Sequence, residues 1–316
     1  MAAKLSTHPD AFPAQELADA VAERGLSFPA ELTDQVAATI DAGKHLIFIG
    51  PPGTGKTTLA YLTAEIAGAA AMNSGFLPTT ATSAWTSSET IGGLVATREG
   101  QLFRPGLFLS AIQTSRWLII DELNRTNLDE AFGPLFTVMS GSSVVLPFSL
   151  PGHSLPLSVV PYDAEVPERT EPIYVPRLWR LLATMNLFDK DLLRRLSYAL
   201  MRRFAFIEVP SPDDDAMHEL VHGPGDIVLE LLPLRHLRDL GPAIFLDAKH
   251  FAARRMADRV SESRVLFEAF YAYFLPQFDG IDDRGGQLFE LLAAILDGPE
   301  KDEARRAIRT ILGGRD

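Results

Sequence analysis

Four predominantly apolar runs mark the first two thirds of the chain: His45-Leu-Ile-Phe-Ile49, Trp117-Leu-Ile-Ile120, Leu178–Thr184 and Phe204–Val209. Apolar runs without strict alternation predict strands buried on both faces, as in a parallel sheet covered by helices. Helix-like spacing separates them, over Thr57–Ile66, Leu107–Thr114, Leu128–Met139 and Asp191–Arg202. The alternation of the two patterns predicts an α/β fold. Ahead of it, residues 1–40 read as an N-terminal extension with helical stretches around Gln15–Glu23 and Glu31–Ala42. The Thr/Ser-rich segment Thr79–Gly93, which holds Trp85, reads as more loop than core. Residues 144–176 are rich in proline with short β-like pieces, and predict an inserted hairpin or surface loop. The composition breaks at Ser211-Pro-Asp-Asp-Asp215. Beyond it the pattern is helical, over Arg254–Ser261, Val265–Phe274 and Gln287–Leu296. The expected division is therefore 1–40, 41–210 and a smaller helical part, 211–316.

With 316 residues the chain is long enough for two cores. Its 47% hydrophobic and 22% charged content is that of a globular protein. It has no cysteine, so neither disulfide nor thiolate chemistry enters. No apolar run approaches the ~20 residues that cross a bilayer, and the first ten residues lack the apolar stretch of a signal peptide. A cytoplasmic location is the expectation. The net charge of −12 disfavours broad attachment to nucleic acid. Within that acidic background, the stretch from Arg177 to Arg203 carries seven cationic side chains against two acidic ones. A cluster of this kind predicts an anionic partner, and a bound nucleotide is the economical one.

The candidate chemistry starts at Gly50-Pro-Pro-Gly-Thr-Gly-Lys-Thr57, which fits the phosphate-loop pattern G-x-x-x-x-G-K-[ST] at every fixed position. It lies between a predicted strand and a predicted helix, where the pattern has physical meaning. Gly50, Gly53 and Gly55 let the backbone wrap an anion so that successive N–H groups point inward, with Pro51, Pro52 and Thr54 filling the loop. The helix beginning at Lys56-Thr57-Thr58 adds the partial positive charge of its N-terminus. Lys56 supplies a full charge for the outer phosphates, and the Thr57 hydroxyl suits Mg²⁺.

Three further positions fall where a doubly wound sheet places its ligand. Asp121 and Glu122 close the second apolar strand. Asp121 would hold Mg²⁺ through its water shell, and Glu122 would orient and deprotonate an attacking water. The same dipeptide also serves elsewhere as a solvated turn or helix N-cap. Asn186 ends the third strand, where a neutral amide can position water without competing for the metal. Arg202 and Arg203 end a helix just before the last strand. Either could complete a neighbouring subunit's site as an arginine finger, or compensate the helix dipole.

Together, Gly50–Thr57, Ile119-Ile-Asp-Glu-Leu-Asn-Arg125, Ala183-Thr-Met-Asn-Leu-Phe-Asp189 and Tyr198-Ala-Leu-Met-Arg-Arg-Phe-Ala-Phe-Ile207 resemble the motifs of the AAA+ ATPases, specifically the dynein-related, MoxR/McrB-like branch. The likeness spans about residues 40–210. It implies a P-loop NTPase fold with helices on both faces of the sheet and a helical lid behind it. It implies Walker A at the phosphate loop, Walker B at Asp121-Glu122, sensor 1 at Asn186 and an arginine finger at Arg203 or Arg202. It further implies Mg-ATP as cofactor and a ring, usually a hexamer, with nucleotide between subunits. Met185-Asn186 with Asp189 is similar to the McrB motif M-N-x-x-D-R, although Lys190 stands where that motif has Arg. McrB-type proteins use GTP, and ATP is expected here on family frequency. A sensor 2 arginine would fall at Arg254 or Arg255, positions that equally suit an exposed helix face. The resemblance leaves three functional expectations: a ring ATPase that remodels a partner, such as a von Willebrand A-type protein; a GTP-using motor acting on DNA with a separate nuclease; or a nucleotide-gated interaction module.

Overall fold

The structure, a computed structural model, describes residues 11–98, 100–150, 153–186, 202–278 and 285–312. The chain divides into two compact units, one of residues 1–50 and 56–209, the other of residues 51–55 and 210–316.

The first unit opens with two amphipathic helices, α1 (Ala14–Glu23) and α2 (Glu31–Asp41). Leu17 and Val21, then Leu32, Val36 and Ile40, recur every four residues and are buried. They join the same core as the sheet that follows. That sheet is built from β1 (His45–Gly50), β2 (Phe76–Thr80), β5 (Trp117–Asp121), β9 (Leu181–Asn186) and β10 (Phe204–Glu208), in the order β10-β1-β9-β5-β2. All its pairings are parallel. Helix α3 (Lys56–Ala69) follows β1, α5 (Leu107–Gln113) precedes β5, and α6 (Leu128–Val138) follows it. β1 pairs with β9 and β10 rather than with β2, its successor in the chain. The winding therefore reverses beside β1, which opens a crevice at the carboxyl ends of the strands.

Two connections differ from the sequence expectation. The segment Thr79–Gly93 contains the end of edge strand β2, the short helix α4 (Ser87–Thr90) and the start of a hairpin, β3 (Gly92–Thr97) with β4 (Gly100–Pro105). Trp85 belongs to the core, edge-on to Phe132 at 6.2 Å between ring centroids. Pro78 disguised β2 in the sequence; it is tolerated because, among the described residues, β2 has a neighbour on one side only. Residues 144–176 form more than a hairpin or loop. β6 (Val144–Ser149) pairs antiparallel with β7 (Pro156–Pro161), and β7 pairs parallel with β8 (Glu171–Val175). β7 lies between the other two and buries Val159 and Val160 completely. Its prolines stand at the two ends of the strand, while Pro147 and Pro172 lie on the flanking edge strands.

At the amino end of the sheet a buried polar knot replaces part of the expected basic face. Arg180 is 6% exposed. Its guanidinium donates to the carbonyls of Ile40 and Trp179, both at 2.9 Å, and of Arg177 at 3.1 Å. Burial lowers its pKa to about 10, against the pull of Asp41. It is an internal tie, since both terminal nitrogens of the guanidinium are committed to carbonyls of its own chain rather than to a ligand anion. His45 lies beside it and accepts the Leu181 N–H at Nδ1, 3.1 Å away. Burial first, then Arg180 and Lys44, lowers its pKa to about 3, so the ring is neutral. Lys190, Arg194 and Arg195 of the expected cluster lie outside the described residues, as do residues 191–201 of the helix expected over Asp191–Arg202.

The second unit is helical. Asp213 caps Asp214–Val221 by accepting from the Ala216 N–H at 2.8 Å. A 3-10 stretch, Asp226–His236, precedes Pro242–Ala257, whose first residue is the proline that suits a helix start. The helix expected over Arg254–Ser261 is the last turn of this one. The chain leaves it at Asp258, and Arg259 takes φ +60°. Glu262–Ala269 runs into a π-helical turn, Phe270–Phe274, and the helices Gly285–Ile295 and Pro299–Leu312 complete the unit. Phe245, Phe270, Phe274, Leu288 and Leu292 form its core. No helix among the described residues is long and apolar enough to cross a membrane.

Candidate functional site at the carboxyl edge of the sheet

Parallel pairing brings the ends of three strands to one edge. Gly50, the last residue of β1, pairs in register with Asn186, the last residue of β9. On the other side of β9, Ile120 pairs with Ala183, which sets Asp121 beside Thr184. Asn186 is half-buried, and its side-chain amide makes no hydrogen bond among the described residues. The carboxylate of Asp121 is engaged from two directions. Thr57, in the first turn of α3, donates its hydroxyl to Oδ1 at 2.7 Å, and Thr184 donates to the same oxygen at 2.5 Å.

Glu122 leaves β5 in the left-handed conformation, φ +52° and ψ +46°, which costs a residue with a side chain about 1 kcal/mol. Its N–H is held by the Thr184 hydroxyl at 3.0 Å. Its carboxylate meets the Arg125 guanidinium at 2.8 Å. Thr184 was not singled out from the sequence. The available signal was a hydroxyl two residues before Asn186, on the same face of a strand that is otherwise apolar.

The loop between β1 and α3 has the backbone that the glycines predicted. Gly53 takes φ +74° and Gly55 φ +88°, both outside the comfortable range of other residues. A Cβ at Gly53 would also meet the Ala243 Cβ at 3.0 Å. Thr54 is buried, and its hydroxyl returns to the Pro51 carbonyl at 3.1 Å, bracing the turn. Pro51 is buried, Pro52 is exposed and Thr58 is half-buried. Lys56 follows directly, 6% exposed, and donates to the Gly50 carbonyl at 3.1 Å. Burial lowers its pKa from 10.5 to about 8, and the nearby carboxylates of Asp121 and Glu122 oppose that fall. A buried ammonium beside a glycine loop suits an anion, whose charge would repay the desolvation. Among the described residues no three His, Cys, Asp or Glu side chains gather round one point. One carboxylate with a threonine hydroxyl is the sparse oxygen set that magnesium takes when phosphate supplies the remaining ligands. The residues present thus fit both groups.

Arg202 and Arg203 are not brought to this edge. They precede β10 at the amino end of the sheet, where the His45 N–H donates to the Arg203 carbonyl and Lys44 Nζ to that of Arg202, both at 3.4 Å. Six residues of β1 and its approach separate that end from Gly50, about 20 Å at ~3.3 Å per residue. The Arg203 guanidinium donates to the Ser140 hydroxyl. In the second unit, Arg255 is committed to Glu268 through two hydrogen bonds, 2.7 and 3.1 Å, and Arg254 to Asp258 at 3.6 Å. Asp189 and Lys190 lie outside the described residues.

Comparison with known protein families matches residues 45–204 to the AAA domain of the dynein-related subfamily. Comparison with curated proteins returns no match. The matched span runs from the first residue of β1 to the first of β10 and so contains every strand end described above. Such a domain is, in general, a P-loop unit that binds and hydrolyses nucleotide. From its phosphate loop, its five-stranded parallel sheet and this match, the chain belongs to the dynein-related subfamily of AAA proteins.

Proposed function

We propose that the protein binds and hydrolyses Mg-ATP as an oligomeric ring, usually a hexamer, and spends the resulting motion on remodelling a partner protein, in the manner of the MoxR/McrB-like branch. Residues 41–210 would be the nucleotide-binding part and 211–316 the lid. The observation that carries the reading is the gathering of Thr57, Asp121, Glu122 and Asn186 at one sheet edge, directly beside the end of β1. Backbone N–H groups of Gly53–Thr57 hold the phosphates, with Lys56 adding charge. Thr57 and Asp121 would hold the magnesium, which when bound neutralises charge on the phosphates. Glu122 accepts the proton of the attacking water, and Asn186 orients that water through its amide.

Arg203, or Arg202 beside it, acts on the site of the neighbouring copy. What supports a role in trans is placement: a guanidinium at the amino edge of the sheet stands too far from its own chain's phosphate loop to touch the same phosphate. The test is phosphate release from ATP and from GTP, measured across protein concentrations, with mass determination of the particle with and without a non-hydrolysable analogue. Turnover per chain that rises with concentration, as the particle grows on adding analogue, is the expected result. A monomer with no turnover at any concentration refutes the proposal.

A further inference from the structure

The geometry points to Thr184 as a positioning residue: from the adjacent strand, its one hydroxyl sets both strand-end carboxylates, and it acts in turnover rather than in nucleotide capture. The inference rests on the reading of Asp121 and Glu122 given above. Thr184 is 2% exposed, so its hydroxyl is withdrawn from bulk solvent and finds its partners within the protein. It finds two. It donates its proton to Asp121 Oδ1 at 2.5 Å and accepts the Glu122 N–H at 3.0 Å. A hydroxyl can give to a carboxylate and take from an amide through one atom, which no amide nitrogen, ammonium or carboxylate does. The register that puts Thr184 opposite Asp121 is fixed by β5–β9 pairing, so this atom is held by the sheet.

The two bonds have separate consequences. The first, with the Thr57 hydroxyl, fixes the rotation of the Asp121 carboxylate and hence the face it offers a cation. The second anchors the peptide N–H of Glu122 at the point where the backbone turns left-handed and aims the Glu122 side chain out of the strand. Without it the left-handed turn has one tether fewer, and the amide is left unpaired. Among the described residues the Thr184 hydroxyl bonds to Asp121 and Glu122, not to the phosphate loop.

Thr184→Val keeps the branched shape and strand preference while removing the hydroxyl; Thr184→Ser keeps the hydroxyl and removes the methyl group. Binding of a fluorescent ATP analogue in excess chelator, then across a magnesium titration, is measured for both beside steady-state turnover. For Thr184→Val we expect metal-free affinity within about twofold of wild type. We expect kcat lower by ~10- to 100-fold with KM little changed, and a magnesium half-saturation raised several-fold. Thr184→Ser recovers most of both. Retained metal-free binding certifies that the site is folded in each variant. Wild-type kcat and magnesium dependence in Thr184→Val overturns the inference, as does equal impairment of the Val and Ser variants. If wild-type protein itself neither binds nor hydrolyses nucleotide, the functional reading falls, and the inference with it. If wild type turns over and Thr184→Val does so equally well, the inference alone falls.

Discussion

Lys56→Met should make the nucleotide-free protein more stable, although it removes the full positive charge that follows the phosphate loop. In the empty protein the ammonium is buried, and it sits in the first turn of α3, at the positive end of that helix. The resulting drop in pKa from 10.5 to about 8, at about 1.4 kcal/mol per tenfold change in proton affinity, is a cost of about 3 kcal/mol at neutral pH. Methionine has similar length and helix propensity and needs no hydration. The variant forfeits the ammonium's hydrogen bonding, the bond to the Gly50 carbonyl included, roughly 1–2 kcal/mol. A net gain of about 1–2 kcal/mol remains, or roughly 2–8 °C in Tm for a unit of this size.

The sign can be followed in pH. Below pH 8 both folded and unfolded chains carry the proton and the cost is complete. Between 8 and 10.5 the folded chain has lost it while the unfolded chain keeps it, so wild type gains relative stability. Above 10.5 the cost is gone. The advantage of Lys56→Met should therefore be largest near pH 7 and fade across pH 8 to 10.5, read as paired thermal unfolding curves. Adding Mg-ATP should reverse the order at pH 7, because only wild type then gains binding energy. A variant less stable than wild type at pH 7, or a difference that is flat up to pH 10.5, would refute the argument that burial strains this ammonium.

Glu122→Gln should leave nucleotide affinity near wild type and slow hydrolysis by ~10²- to 10⁴-fold, as loss of a positioned base does; single-turnover phosphate release checks this. Arg203→Ala should be inactive alone and regain part of its activity when mixed with inactive Glu122→Gln protein, since a mixed ring contains interfaces in which both groups are intact. No recovery at any ratio would argue against action across an interface. His45→Asn should flatten the acid limb of the stability curve. In wild type the unfolded histidine gains a proton as pH falls below 6.5 while the folded one stays neutral down to about 3, so stability drains away across that window. Urea midpoints taken at intervals from pH 7 to 4 would show an unchanged slope if the ring is not protected from protonation.

Much of this architecture was legible because the signals were local. β1, β5 and β10 are short apolar runs, and the phosphate loop carries its glycines at the positions where the backbone goes left-handed. What stayed hidden depended on pairing between distant segments. Pro78 inside a strand is readable only once β2 is known to lie at an edge, and the prolines of β7 only once they are seen to flank it. Arg180 counted as part of a basic cluster because a linear sequence shows charge but not the carbonyls of Ile40 and Trp179 that enclose it. Thr184 escaped notice for a related reason. Its importance comes from standing opposite Asp121, a register that strand spacing alone does not set.

The proline in β2 also decides where the sheet stops growing. The inward row of β2 is occupied, as shown by Trp117 N–H donating to Gly75 and Ala81 N–H to Asp121, both at 2.9 Å. By alternation, Phe76, Pro78 and Thr80 face the open flank. Its middle position has no N–H to offer, so an incoming β-ribbon would find a gap at the centre of the template. A polypeptide that must fold beside identical copies of itself thereby carries a built-in defence against being lengthened, strand by strand, into an aggregate.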